Sequence, residues 1–208
     1  MNNLWNKFIY KIGSPIYDQF FNTGIFLKAR RQILDSIAFK KKQRVLFVGV
    51  GTGADLELIN YSDLDIVAID YSPEMLENAK AKFINSDIKF IEMDAQDLTF
   101  ENESFDYIVA SLILSVVPDA NKCFQEMTRV LKKGGKIIVF DKFIPKNKKL
   151  SFTKVLIRPI IMLLGTDIGR SFEEIISTNN QNIQVEEDSS VMLNGMYRKI
   201  ILVKENRI

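Results

Sequence analysis

The chain of 208 residues contains no histidine and a single cysteine, Cys123. Without imidazole, Ser-His-Asp and Cys-His mechanisms are excluded, because each needs that base beside its nucleophile. One thiol and no histidine also leave no ligand set for a His/Cys zinc site, and no metal is expected. A lone cysteine rules out an intrachain disulfide framework and suits a reducing compartment, so the expected location is the cytoplasm. Excess charge is missing too: 28 Lys and Arg against 26 Asp and Glu leave a net charge of +2. No strong field draws such a chain to nucleic acid, and no nucleic-acid partner is expected. No apolar run is long enough to span a bilayer; the most apolar stretch, Val155 to Gly165, carries Arg158 and Pro159. The opening MNNLWNKFIYKI lacks the basic n-region and unbroken apolar core of a secretory signal.

What is present is the composition of an ordinary globular protein, 47% hydrophobic and 26% charged, at a length that suits one domain with a sizeable core. From Lys42 to Phe143 strand-like and helix-like segments alternate, which predicts a parallel sheet covered by helices. VLFVGV reads as strand one and Ile66–Asp70 as strand two. A helix follows, with Ser72 as N-cap and Pro73 at its first position. Ile88–Asp94 reads as strand three, FDYIVASLIL as strand four and KIIVFDKF as strand five. DANKCFQEMTRVLKKGG is an amphipathic helix with Phe124, Met127 and Leu131 on one face and Gly134 or Gly135 as its C-terminal cap. A Lys-rich loop and another helix come next. Ser171–Glu174 has the form of a capping box. Asn194-Gly195 predicts a two-residue hairpin turn, with the last strand YRKIILV inserted antiparallel beside strand five.

Glycine is scarce, ten in all, yet Gly49, Gly51 and Gly53 fall within five residues after strand one. Such a loop lets the backbone approach a ligand. Alone it is ambiguous, since Gly49-x-Gly51-x-x-Ala54 also fits a dinucleotide fingerprint. Its companions occupy successive strand ends, where ligands bind in open α/β sheets. Asp70 ends strand two, about 20 residues on, where an acid can accept both ribose hydroxyls. Asp94 ends strand three and Ser111 strand four.

VLFVGVGTG, VAIDYSPEMLENA, FIEMDAQDLTFENESFDYIVASLIL and EMTRVLKKGGKIIVFD resemble, in order and spacing, the motifs of class I S-adenosylmethionine-dependent methyltransferases. The resemblance runs roughly from residue 10 to residue 205 and favours the G-x-G-x-G reading of the loop. It implies an α/β, Rossmann-like sheet, mostly parallel with a C-terminal antiparallel hairpin and helices on both faces. It further implies S-adenosyl-L-methionine as cofactor and S-adenosyl-L-homocysteine as product. By the same resemblance Gly49, Val50, Gly51, Thr52 and Gly53 hold the methionine part, and Asp70 takes the ribose hydroxyls. Asp94 and the Ala95 backbone bracket the adenine, Tyr71 and Met75 line the adenine or ribose face, and Ser111 closes the cofactor set. The organisation expected is one domain, residues 1–208: a helical lid over 1–40, a cofactor-binding core over 41–143, and substrate-side helices with the hairpin over 144–208. One departure stands out: many members carry an acid at the position of Phe47. Asp55 or backbone carbonyls are the expected substitutes.

Within the family the chain is most similar to small bacterial phospholipid N-methyltransferases, of the kind that methylates phosphatidylethanolamine. PIYD (Pro15 to Asp18), VGVGTG, SVVPDANKCFQEMTRVLKKGG and LGTD…SFEEII carry that likeness. Methyl transfer from a sulfonium is an in-line displacement that asks mainly for positioning and desolvation. Ser115 stands where many related enzymes carry a histidine, which disfavours O-methylation through a histidine base and suits amine, thiolate or activated-carbon acceptors. By resemblance Tyr17 is the catalytic candidate, facing the methionine carboxylate or the methyl sulfonium. Packing roles are open for Tyr17, Tyr10 and Tyr197. The acceptor expected is a small molecule or a lipid. Leu4, Trp5, Phe8, Ile9 and Ile12 form one apolar helical face, either an interfacial helix or a lid. Peripheral association at the inner membrane face would use residues 1–12 and the stretch Lys142–Lys149, with a solvated loop as the other reading. Soluble small-molecule methylation and a non-catalytic cofactor-binding module are the alternatives.

Overall fold

A computed structural model describes residues 23–146, 152–163, 165–179 and 182–206. The elements run α1 (Gly24–Asp35), β1 (Arg44–Val48), β2 (Asp65–Asp70), α2 (Pro73–Lys82), β3 (Lys89–Glu92), β4 (Phe105–Ser111), α3 (Ala120–Val130), β5 (Leu131–Lys142), α4 (Phe152–Leu163), α5 (Phe172–Thr178), β6 (Ile183–Met192) and β7 (Tyr197–Lys204). They build one seven-stranded sheet in the order β3-β2-β1-β4-β5-β7-β6. The first five strands pair in parallel, and β7 lies antiparallel between β5 and β6. The expected architecture is therefore the observed one, including the last strand beside β5.

Alternation along the strands divides the core. Leu46, Val48, Ile69, Ile108 and Val139 face α3, whose Cys123, Phe124 and Met127 are fully buried. Val45, Phe47, Ile66, Val109 and Phe140 face α1 and α2. The central strand VLFV is buried on both faces, which is why it reads as an unbroken apolar run. Caps set where the helices start. The Ser72 hydroxyl accepts from the Met75 N–H, Asp119 from Lys122, and Ser171 from Glu174.

Two local expectations need correction. The helix expected to reach Gly134 or Gly135 ends at Val130, because Leu131 is already extended and pairs with Phe105. Arg129 fixes that end by donating to the carbonyls of Leu98 and Phe100 at 2.7 and 2.8 Å. Gly134, at φ +73°, instead turns the chain between Leu131 and Lys136, where the register with β4 shifts. The hairpin forms where Asn194-Gly195 predicted it, but four residues, Leu193 to Met196, separate the paired Met192 and Tyr197. Leu193, Asn194 and Gly195 all adopt positive φ.

The proposed 1–12 helix, Tyr10, Tyr17, Lys148 and Lys149 lie outside the described residues. From the 1–40 region α1 is described; it buries Phe26, Ala29, Ile33 and Leu34, with Phe26 edge-on to Tyr197. Tyr197 is buried, and loss of water around its ring, with the Asp141 charge, raises its pKa to about 12. Among the described residues no helix is long and apolar enough to cross a membrane.

Candidate active site

The loop after β1 is shaped by its own amides. Val50 N–H donates to Ile69 O at 2.9 Å and Gly53 N–H to Val50 O at 3.0 Å, which folds the chain back over the carboxyl end of β2. Gly51 sits at φ +55°, and a Cβ built there would meet nothing within 4 Å. The backbone at Gly51 is thus open to a ligand. Gly49, at φ +69°, is closed instead, since a Cβ would come within 2.6 Å of Ile113. Thr52 is buried between them and Gly53.

Asp70 joins this loop to the next turn. One carboxylate oxygen accepts from Gly51 N–H at 2.8 Å and the other from Ser72 N–H at 2.9 Å. Burial raises its pKa above the ordinary carboxylate value, while the amides of Ser72, Gly51 and Tyr71 favour the charged form. Tyr71 is half-buried beside it, and Met75 is buried in the first turn of α2. Asp94, after β3, accepts from Gln96 N–H and from the Gln96 side-chain amide, both at 2.9 Å. The Gln96 side-chain oxygen Oε1 accepts in turn from Asp119 N–H at 2.7 Å. Gln96 thereby ties the Asp94 turn to the start of α3, a role sequence reasoning missed. Ala95 is buried next to it.

Phe47 is a core residue packed on the α1 side, so the missing acid is replaced by apolar packing. Asp55, one expected substitute, lies close to the loop and pairs with α1. Its carboxylate is buried and accepts from Arg30 Nε of α1 at 2.7 Å, committing it to the helix.

Beyond β4 the chemistry changes. Ser111 ends the strand in register with Phe140, and Leu112 follows at φ +56°. A non-glycine residue in that region is strained by about 1–2 kcal/mol. Ser115 is fully buried; its N–H donates to Asp141 at 3.0 Å and its carbonyl accepts from Asp167 N–H at 2.7 Å. Arg158 grips Asp167 with two bonds of 2.7 and 2.8 Å. Arg170 donates to the carbonyls of Leu114, Val117 and Pro118, pinning the loop between β4 and α3. Arg198 joins Asp188 and Glu173. None of these partners could be paired from sequence, since separations such as 56 residues between Arg170 and Leu114 leave no local signal. Burial pushes the Cys123 thiol well above its ordinary pKa, so it offers no thiolate nucleophile. Lys142, expected in a basic surface stretch, is instead buried at the end of β5. Lys146 remains half-exposed and pairs with Asp188 at 2.6 Å.

Residues 46–139 match the family model described as a methyltransferase domain. The phosphatidylethanolamine N-methyltransferase of Cereibacter sphaeroides is 30% identical over 186 residues, covering 88% of this chain and 89% of that protein. The chain belongs to the class I S-adenosylmethionine-dependent methyltransferases. The demethylmenaquinone methyltransferase of Renibacterium salmoninarum is 38% identical over 131 residues, but these cover 62% of this methyltransferase and 54% of that one. This chain thus matches only about half the length of that relative. The YcgJ protein of Bacillus subtilis has the same fold, with a TM-score of 0.69 and 17% identity over 86% of this chain and 99% of that one. The methyl donor of this methyltransferase is S-adenosyl-L-methionine. The chain's own groups fit that cofactor: an open glycine backbone at Gly51, and carboxylates at Asp70 and Asp94 for hydroxyl and amino donors.

Proposed function

We propose that this methyltransferase transfers a methyl group to the amine of a phospholipid headgroup of the phosphatidylethanolamine type. The carrying observation is the likeness to the Cereibacter sphaeroides enzyme, which extends over nearly all of both chains rather than the cofactor core alone. Helix α4 adds support. Leu156 and Ile160 are each 62% exposed, and Ile157 lies between them, while Arg158 is held by Asp167. An apolar ridge of this kind, following a Lys-rich stretch, suits contact with an anionic lipid surface. Peripheral association at the cytoplasmic face of a membrane is part of the proposal, with residues 1–12 as its other element.

In this reading the backbone of Gly49 to Gly53 cradles the methionine part, with Val50 and Thr52 shaping the loop. Asp70 accepts from the ribose hydroxyls, and Tyr71 and Met75 lie along the ribose or adenine face. Asp94 accepts from the adenine amino group, held at its angle by Gln96, with the Ala95 backbone alongside and Ser111 completing the cofactor set. When bound, the cofactor supplies a methyl group already activated on a sulfonium. The chain's part is to orient the donor and exclude water from the approach. Tyr17 is assigned to the methionine carboxylate or methyl sulfonium on sequence resemblance alone. A neutral amine needs no histidine base once deprotonated, which suits a chain without histidine.

The test supplies labelled cofactor with vesicles containing phosphatidylethanolamine, and separately with a demethylated menaquinol. Label in the lipid amine supports the proposal; label in the quinol alone overturns it. The quinol arm is warranted by the 38% identity of the core to the demethylmenaquinone enzyme. Vesicle flotation with and without anionic lipid, and with residues 1–12 deleted, examines the membrane part.

A further inference from the structure

We propose that Lys142 is the cation that anchors a phosphate group of the methyl acceptor. Three basic side chains are buried among the described residues: Arg30, Lys142 and Arg198. Arg30 is paired with Asp55, and Arg198 with Asp188 and Glu173. Lys142 is 6% exposed, yet its ammonium makes no hydrogen bond or ion pair among the described residues. A buried ammonium with no directly hydrogen-bonded carboxylate is costly, and an anion that arrives later would meet that need.

Among the described residues, the carboxylates that act on Lys142, Asp141 and Asp167, are already engaged. Asp141 accepts from the N–H groups of Ser115 and Lys142 at 3.0 and 2.7 Å. Asp167 accepts the Arg158 fork and Gly169 N–H at 2.8 Å. Both act on the ammonium only through space. Burial lowers the Lys142 pKa, and these two carboxylates oppose that shift.

Position supplies the rest. Lys142 is the last residue of β5, at the same carboxyl edge as the Gly49–Gly53 loop of β1 and Ser111 of β4. β5 lies two strands from β1, about 10 Å at ordinary strand spacing. A lysine side chain and the short link between phosphate and amine in an ethanolamine headgroup together span that gap. Lysine is suited to such an oxyanion as a compact point charge. The inference rests on the proposed amine acceptor for its geometry. The ligand chemistry is a phosphate ester, from a lipid headgroup or from a soluble phosphate ester.

Two arms test it, using the full chain with Lys142→Met and Lys142→Arg. In the first, inorganic phosphate is titrated calorimetrically into protein saturated with S-adenosylhomocysteine. Phosphate affinity should fall at least tenfold in Lys142→Met and be largely kept in Lys142→Arg, with S-adenosylhomocysteine affinity unchanged. Equal phosphate affinity in wild type and Lys142→Met, or none in wild type, overturns the inference whichever acceptor the enzyme uses. In the second arm, phosphatidylethanolamine in mixed micelles, glycerophosphoethanolamine and a long-chain amine without phosphate are compared as acceptors. Lys142→Met should raise KM for phosphate-bearing acceptors tenfold or more, change kcat less, and leave the phosphate-free amine alone. Equal losses on all acceptors would mark a merely structural lysine and overturn the inference. Turnover of the lipid but not the soluble ester assigns the phosphate to a headgroup; turnover of both assigns it to phosphate esters generally. If wild type methylates only a quinol, the proposed acceptor fails while the titration still judges Lys142. Lys142→Gln replaces Lys142→Met should the latter not fold.

Discussion

The two ends of the sheet's carboxyl edge are built from different materials. At β1 to β3 the polar groups are carboxylates met by nearby backbone amides: Asp70 by Gly51 and Ser72, Asp94 by Gln96. At β4 to β7 they are cations and carboxylates brought together from remote segments: Arg170 with Leu114, Arg158 with Asp167, and Arg198 with Asp188 and Glu173. The first end offers acceptors and open backbone to a polar ligand that every member of the family shares. The second is stiffened by charged side chains that tie remote segments together. Variants at the two ends should therefore separate cofactor affinity from stability.

The largest effect is expected from Asp70→Ala. Hydrogen bonds to a charged group contribute about 1.5–3 kcal/mol each, so losing those to two ribose hydroxyls should weaken S-adenosylhomocysteine binding roughly a hundredfold or more. Calorimetry reads this directly, and unaltered affinity would remove Asp70 from the site. Arg170→Met should do the reverse. It strips donors from three carbonyls of the β4–α3 loop, at a stability cost of about 2–4 kcal/mol, with cofactor affinity nearly unchanged. Urea denaturation beside a cofactor titration checks both halves of that statement. Gly51→Val combines the two readouts more weakly. Forcing a β-branched residue to φ +55° costs about 1–2 kcal/mol, and its side chain occupies space open to the ligand. Affinity that drops further than stability would sharpen the assignment of the loop; a loss of stability alone would break it.

The smallest effect concerns acid. Burial, the largest single influence, raises the pKa values of Glu173 and Asp188, but Arg198 together with Ser171 and a backbone amide at Glu173, and with Lys146 at Asp188, outweighs it and both are lowered. The stability they contribute is present above their ordinary values of 4.5 and 3.8 and is lost as pH falls through the lower folded values. Denaturation midpoints taken below pH 5 should fall less steeply for Asp188→Asn than for wild type. Parallel slopes would show that the Arg198 cluster is not the acid-sensitive part of this wall.

The same contrast explains what was legible. Strand one is an unbroken apolar run because both faces of a central parallel strand are buried. The Ser72-Pro73 start of α2 is a local cap, and Asp70 and Asp94 fall at strand ends that periodicity marks. The Ser72 cap and the Ser72 amide on Asp70 lie within a few residues of their partners, and the strand ends are marked by periodicity alone. Arg170, Arg158 and Gln96 gave no such signal, because their partners lie across turns or in other elements. The Asp55 pair with Arg30, 25 residues away on α1, was likewise not legible. Lys142 misled because charge usually means surface, and the neighbouring Lys146 does obey that rule. The true end of α3 was hidden by Leu131, whose apolar spacing fits a helix although its backbone pairs with Phe105.

The place of β7 has a consequence for assembly in time. It enters between β5 and β6, yet it follows all six of the other strands of the sheet in the chain. Until it emerges, the Ile137–Phe140 edge of β5 has no neighbour on that side, and β6 has no strand to lie against. An open apolar edge of that kind invites pairing with other chains. The sheet therefore cannot close until its other six strands exist, and the risk of misassembly is concentrated in the interval before β7 joins them.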